Sequence, residues 1–76
     1  MPDRLPALRP DEVIQALERA GFVRKRQRAH VIRHHAATRR SVPIPVHARD
    51  LKRNLLLQII KQAGLTREEF MGLLRS

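Results

Sequence analysis

Two segments with helical periodicity enclose a central segment, residues 22–46, in which that periodicity is absent. In residues 11–20 apolar side chains recur every three to four positions, the pattern of a helix with one buried face. The same pattern returns at residues 54–63. A chain of 76 residues forms one domain, so the central segment has to supply the sheet on which the helices pack. The sequence therefore predicts an α+β fold.

The ends of the first helix have clear local signals. Pro10 suits a first-turn position, and the acidic residues Asp11 and Glu12 complement the positive end of the helix dipole. Gly21 can adopt the left-handed conformation that stops a helix, with Phe22 folding back onto the last turn. Before this helix, the proline-containing residues 1–10 are predicted to be an extended, poorly ordered lead-in to a domain of residues 11–76.

The central segment is predicted to form three antiparallel strands, at residues 22–28, around residues 31–32 and at residues 41–46. In the last of these, apolar residues alternate with Pro43 and Pro45. Residues two apart direct their N–H groups to the same side of a strand, and proline has no N–H group to donate. This strand should therefore lie at an edge of the sheet.

Two helices are predicted to follow the sheet. Asn54 is a candidate N-cap for the first of them, and Gly64 a candidate stop. Thr66 and Glu69 then have the spacing of a capping box, which predicts a short additional C-terminal helix. The predicted order is α-β-β-β-α with that extra helix. The buried stripe of the second helix comprises Leu55, Leu56, Ile59, Ile60 and Ala63.

Composition restricts the compartment and the partners. The chain has no cysteine, and its apolar runs are too short to span a membrane, so we expect a cytoplasmic protein. Between residues 22 and 53 it has ten Lys/Arg residues against one acid, Asp50, while the rest of the chain is balanced. This basic block accounts for the net charge of +9. It predicts an anionic partner, nucleic acid before acidic lipid, although a merely solvated basic face is the alternative.

The basic block also contains the four histidines of the chain. His34 and His35 are adjacent, so on a strand they face opposite sides and do not have the spacing of paired metal ligands. We interpret them as solvated residues or RNA contacts, and His47 as a loop or capping residue. Histidine is the side chain best suited to acid–base chemistry on RNA near neutral pH, and His30 is the candidate, although most histidines in basic segments are surface residues. No metal site is predicted.

Several segments of the chain resemble the HicA family of bacterial toxin–antitoxin toxins, over roughly residues 11–75. The first match is the helix ending at Ala20, Gly21 and Phe22, and the order and spacing of the matches are more specific than any single motif. The matching segments are residues 17–22, 26–28, 30–32, 42–47, 50–52, 55–60 and 62–70.

The resemblance implies a fold like that of double-stranded-RNA-binding domains and activity as an mRNA-cleaving ribonuclease. It also implies RNA and a HicB-like antitoxin as partners, and no cofactor. His30 matches the catalytic histidine of the family, but the family's preceding Gly-Ser is replaced here by Arg28 and Ala29. The Gly-Thr that opens the second helix in the family is Asn54 and Leu55.

In the mechanism we expect, His30 removes the proton of the ribose 2′-hydroxyl, which then attacks the adjacent phosphorus. Arg26, Arg28 and Lys52 are candidates to offset the charge that develops on the phosphate. Cations expected to bind RNA are Arg24, Lys25, Arg26, Arg28, Lys52 and Arg53.

Two other functions remain open from the sequence. One is a non-catalytic RNA-binding module of the same fold, which the replaced Gly-Ser favours. The other is a DNA-binding protein that uses residues 58–66 as part of a helix-turn-helix, because the short glycine-containing turn permits it. The final helix has no excess of positive charge, which counts against the DNA-binding function.

Overall fold

The computed structural model describes the backbone of residues 7–27 and 30–76, and the side chains of all of these except Gln27 and His30. The elements are α1 (Pro10–Arg19), β1 (Val23–Gln27), β2 (His30–His35), β3 (Arg40–Pro43), α2 (Arg53–Ala63) and α3 (Arg67–Arg75). The strands form an antiparallel sheet in the order β1-β2-β3. The predicted α+β fold, similar to double-stranded-RNA-binding domains with an extra C-terminal helix, is confirmed.

Both ends of α1 follow the local signals in the sequence. Pro10 is its first residue, and the backbone N–H of Arg9 donates to Oε1 of Glu12 at 2.9 Å. At the other end Gly21 has a φ of +101°, and the N–H of Phe22 donates back to the carbonyl of Leu17 at 3.0 Å. This glycine turns the chain directly into β1, and Phe22 is buried in the core.

The strand register determines which side chains share a face of the sheet. Arg24 of β1 pairs with Arg33 of β2, and Arg33 pairs with Val42 of β3. Side chains at directly opposite positions lie on the same face. Val42 is fully buried in the core, so this row lies on the face that the helices cover. The neighbouring row contains Val23, which is 58% exposed, and therefore belongs to the outer face.

The third strand lies at an edge of the sheet as predicted, but it is shorter than the predicted residues 41–46. It ends at Pro43, and Ile44 is buried beyond it. The carbonyl of Pro45 accepts the N–H of Ala48 at 3.0 Å, which turns the chain away from the sheet. Val46 is consequently exposed rather than part of the alternating strand. The prolines thus end the strand as well as marking the edge.

The start of α2 differs from the prediction, whereas its end and the start of α3 agree with it. The N-cap is Lys52 and not Asn54, which lies inside the helix. At the end, Gly64 is left-handed with a φ of +76°. The capping box of α3 is present: the N–H of Thr66 donates to Oε1 of Glu69 at 2.8 Å, and the N–H of Glu69 donates to Oγ1 of Thr66 at 3.0 Å.

The core includes one residue of the predicted lead-in. Leu8 is buried and forms an isolated antiparallel bridge with Leu51, with N–H to carbonyl distances of 3.2 and 2.6 Å. This part of the lead-in is therefore packed rather than poorly ordered, while residues 1–6 lie outside the described residues. The remaining buried core residues are Val13, Ala16, Leu17, Phe22, Val42, Ile44, Leu51, Leu56, Ile59, Ile60, Ala63 and Phe70.

The two glycines of the C-terminal half predict opposite effects of the same substitution. A Cβ at Gly64 would meet the guanidinium of Arg40, with Nε at 2.5 Å, and would have to adopt a positive φ. We expect Gly64→Ala to lower the free energy of unfolding by about 1 to 2 kcal/mol or more. No described atom lies within 4 Å of a Cβ at Gly72 in α3. Gly72→Ala should stabilise the protein by about 0.5 to 1 kcal/mol.

Urea denaturation of both variants beside the wild type measures these effects. Gly72→Ala is the matched control, because it adds the same methyl group at a helical glycine with open space. Equal effects of the two substitutions would contradict the assignment of Gly64 as a left-handed helix stop.

Candidate nucleic-acid interface

The candidate cations lie at the surface without carboxylate partners. In residues 7–27 and 30–76, the ion pairs join Arg9 to its neighbours Asp11 and Glu12, at 3.4 and 3.7 Å. Both of these acids belong to the first turn of α1. The exposed candidates are Arg24, Lys25, Arg26, Lys52 and Arg53. Their charge is therefore available to an anionic partner.

The three cations of β1 do not form a single ridge. Successive side chains of a strand point to opposite faces, so Arg24 and Arg26 share the helix-packed side while Lys25 lies on the outer side. The candidate RNA contacts of this strand are therefore divided between two faces of the sheet. All three remain exposed, since β1 is an edge strand. Arg28, the fourth predicted member, lies outside the described residues.

The second group of cations surrounds the start of α2. Lys52 is the N-cap and Arg53 the first residue, and the first turn has no acidic residue. The N-cap side chain makes no hydrogen bond to the N–H groups of the first turn. In contrast, α1 and α3 each begin with two acids. The start of α2 therefore combines a positive dipole end with two cations, an arrangement that favours a bound anion.

The fold separates these two groups of cations. The helix α2 packs on β3, which is the edge strand opposite to β1. Neighbouring strands lie about 4.8 Å apart, so the backbones of β1 and β3 are about 10 Å apart. An anionic polymer that contacts both groups has to extend across the sheet.

The two adjacent histidines of β2 have different surroundings. Nδ1 of His34 lies 2.9 Å from Oγ of Ser41 on the neighbouring strand. Nδ1 of His35 accepts the N–H of Thr38 at 3.3 Å, and its ring lies edge-on to Phe22 with 5.2 Å between centroids. Both rings are half-buried. His35 thus stabilises the turn between β2 and β3, which the interpretation as a solvated residue or RNA contact did not include.

The other two histidines lie at chain reversals. His30 is the first residue of β2, and its backbone pairs with Gln27, the last residue of β1. Its backbone therefore lies at the end of the β1–β2 pairing. His47 is exposed in the turn that follows β3. Among the side chains that the structure describes, no group of three or more His, Cys, Asp or Glu residues is arranged to hold a metal ion.

Two arginines of the basic block have structural environments that the sequence did not reveal. Nη1 of Arg40 donates to the carbonyl of Gln62 at 3.3 Å, and its guanidinium lies against Gly64. It therefore neutralises the negative end of α2. Arg33 is only 9% exposed, and its Nε has no hydrogen-bond partner among the described residues. The alternation of side chains along a strand at residues 31–35 was the available sequence signal for a buried Arg33. That alternation does not show which face of the sheet the helices cover.

Comparison with known families identifies the chain. A family model described as the HicA toxin of bacterial toxin–antitoxin matches residues 10–65, from the start of α1 to the residue after Gly64. This is most of the chain, and the chain therefore belongs to the HicA toxin family. It is the toxin of a toxin–antitoxin pair, and such a pair includes an antitoxin as the partner of the toxin. No curated protein matches the chain. In the described part of the chain, no helix has the length and apolar character needed to cross a membrane.

The structural role of Arg40 predicts that it differs from its neighbour Arg39. Arg39 is exposed in the turn before β3 and has no hydrogen bond from its side chain to another described residue. We expect Arg40→Ala to lower the free energy of unfolding by about 1 kcal/mol, because the carbonyl of Gln62 loses its donor. Arg39→Ala should change it by less than about 0.5 kcal/mol.

Urea denaturation at low and high salt checks this difference. Both substitutions remove one positive charge from adjacent positions, so a general charge effect would be the same in both variants. Equal stability of the two variants would show that Arg40 contributes nothing to the end of α2.

Proposed function

We propose that this toxin is a metal-independent endoribonuclease that cleaves mRNA, with His30 as the general base. The observation that carries the proposal is the set of exposed cations without carboxylate partners, in a chain of the HicA family. Such a surface binds a polyanion through its phosphates. The first residue of β2 lies beside this surface, which is where the family's catalytic histidine is expected.

The chemistry uses the nucleophile that RNA itself carries. Neutral His30 accepts the proton of a ribose 2′-hydroxyl, and the oxygen attacks the adjacent phosphorus in line. The bond from phosphorus to the 5′-oxygen of the next nucleotide breaks. The products are a 2′,3′-cyclic phosphate and a 5′-hydroxyl, and no metal ion is required. A strand made only of DNA lacks the nucleophile and should not be cleaved.

Negative charge that develops on the phosphate needs nearby positive charge. Arg26 and Arg28 are the candidates closest in sequence to His30, and Arg26 lies near the end of β1. Lys52, at the uncapped start of α2, is a third candidate. Guanidinium groups form paired hydrogen bonds to phosphate oxygens, which strengthen as charge accumulates. The remaining predicted contacts, Arg24, Lys25 and Arg53, would hold the RNA backbone.

The surroundings of the other histidines also support His30. The Nδ1 atoms of His34 and His35 already have partners in Ser41 and Thr38. His35 is additionally held against Phe22. The Nε2 atom of His35 lies against Gly21, so that ring faces the fold rather than a substrate. His47 follows β3, at the opposite edge of the sheet from β1.

A non-catalytic RNA-binding module is the second candidate function. The observation that favours it is the replacement of the family's Gly-Ser before the histidine by Arg28 and Ala29. A helix-turn-helix that binds DNA is less favoured. The first turn of α3 contains Glu68 and Glu69, whose charge opposes entry into a groove.

The proposed nuclease predicts that His30→Ala abolishes cleavage and preserves binding. Antitoxin-free wild-type protein should cleave single-stranded RNA in EDTA, and His30→Ala should reduce the rate at least a hundredfold. His47→Ala is the matched control, because it removes an exposed histidine from the same basic block. Gel electrophoresis measures cleavage, and fluorescence anisotropy measures binding to a 2′-O-methyl RNA.

Each outcome separates the candidate functions. Binding without cleavage by both the wild type and His30→Ala would replace the nuclease with the RNA-binding module. Equal cleavage by the two proteins would indicate either contamination or a different base, and a blank preparation distinguishes these. Cleavage of an all-DNA strand would contradict attack by the 2′-hydroxyl.

We further propose that the antitoxin is HicB-like, acts in the cytoplasm and covers the cationic surface with acidic side chains. Complementary charge accelerates association, and salt screens it. The association rate measured by stopped-flow fluorescence should therefore fall severalfold between low and physiological salt. Lys25→Gln should weaken this salt dependence, and Arg75→Gln, at the end of α3, serves as the control. A rate independent of salt would contradict an acidic contact surface.

A further inference from the structure

Arg33 is a largely buried cation, and one of its guanidinium nitrogens has no partner among the described residues. It lies on the central strand β2, is 9% exposed, and has an Nε atom that is enclosed and without a hydrogen-bond partner. Enclosing a guanidinium N–H away from water costs free energy unless a hydrogen-bond partner replaces the lost hydration. Buried charges in proteins are accordingly paired. The state of Arg33 requires a physical explanation.

The neighbours of Arg33 increase this cost. On one side its register partner is Arg24, and on the other it is the apolar Val42. The Cβ atoms of directly opposite residues lie about 5 Å apart, and like charges at that position destabilise a sheet. The only ion pairs in the described residues are those of Arg9 with Asp11 and Glu12, at the start of α1. The described part of the fold thus pairs two arginines across adjacent strands, and neither of them forms an ion pair with a described acid.

Packing alone does not account for this arrangement. An apolar side chain of similar length on β2 would fill the same space and remove the desolvation cost. A solubilising charge would be exposed, as Arg24 and Arg26 are. Two independent features, an unpartnered buried Nε and an arginine as register partner, therefore indicate a negative group that the described residues do not supply.

We propose that Arg24 and Arg33 form an anion-binding pair that holds one phosphodiester of the bound RNA. This inference rests on the proposed function and adds Arg33, an inner phosphate contact that the sequence did not indicate. A phosphodiester has two non-bridging oxygens and can accept hydrogen bonds from two guanidinium groups at once. Arg24 supplies the exposed outer donor and Arg33 the inner donor.

The chemistry of the row favours phosphate over a carboxylate of a protein partner. Arg26 is exposed on the same side of β1, two residues from Arg24. Arg24 and Arg26 are therefore successive cations on one face of β1, which suits a polymer with a charge on every unit. One acidic side chain of the antitoxin would neutralise a single position. That occupant is tested as an alternative.

The test uses Arg33→Met, Arg33→Lys and the control Arg39→Met in the full chain. Arg39 is an exposed arginine of the same basic block. Anisotropy of a 2′-O-methyl RNA is titrated at several NaCl concentrations, and urea denaturation gives the stability of each protein. The modified RNA prevents cleavage during the titration.

The proposal predicts a variant that binds less and is no less stable. Arg33→Met should weaken RNA binding about tenfold and reduce the slope of log affinity against log salt by about 0.7 to 0.9, the loss of one phosphate contact. Its unfolding midpoint should equal or exceed that of the wild type, because a buried charge is removed. Arg33→Lys should retain the salt slope and lose affinity, because it keeps the charge without the planar fork. Arg39→Met should leave affinity at the higher salt concentrations nearly unchanged.

Other results would overturn the proposal. A lower midpoint for Arg33→Met with an unchanged RNA affinity and slope would assign Arg33 to packing alone. If Arg33→Met binds RNA normally but binds the antitoxin more weakly, the pair would instead bind a carboxylate of the antitoxin. A wild type that binds no RNA would contradict the proposed function. The anion-binding pair of Arg24 and Arg33 is then tested separately with inorganic phosphate. If the pair binds phosphate, phosphate raises the unfolding midpoint of the wild type above that in chloride of equal ionic strength, and does not do so for Arg33→Met. The absence of that difference would reject the anion pair itself.

Discussion

The packing of α2 on β3 is the interaction on which the rest of this small fold depends. Among the strand side chains that the structure describes, Val42 is the one that enters the core cluster. The helices and the connecting segments supply the remainder, including the Leu8–Leu51 bridge beneath the start of α2. A sheet that contributes so little apolar surface can carry polar residues elsewhere. This is why β1 can consist of charged and polar residues after Val23 without loss of the core.

The placement of acids explains why the basic surface is uncompensated. Pairs of acids begin α1 and α3, where they interact with free N–H groups and the positive dipole ends. Glu12 and Glu69 are bound there by backbone hydrogen bonds. The start of α2 has cations in place of acids. The same electrostatic rule therefore stabilises α1 and α3. It leaves the start of α2, together with β1, open to an anionic partner.

Local signals predicted the elements well where the physical cause is local. The stops at Gly21 and Gly64 follow from backbone conformations that glycine adopts without strain, and the capping box at Thr66 involves residues three apart. The errors have long-range causes. Asn54 looked like an N-cap, but the helix begins earlier because Leu51 is anchored by the bridge to Leu8. The predicted strand does not extend to Val46, because the turn after Pro45 carries the chain towards α2.

By itself, the sequence determined the fold class, the concentration of positive charge and the resemblance that the family match confirms. These depend on composition, on periodicity and on residues close together in the chain. Tertiary structure decided the role of each cation. Arg40 is committed to the end of α2, and Arg33 is enclosed opposite Arg24, although the sequence presents them as equivalent members of one basic block. The reason is physical: burial and pairing depend on which strand lies opposite and which face the helices cover, and neither is encoded in the residues next to an arginine.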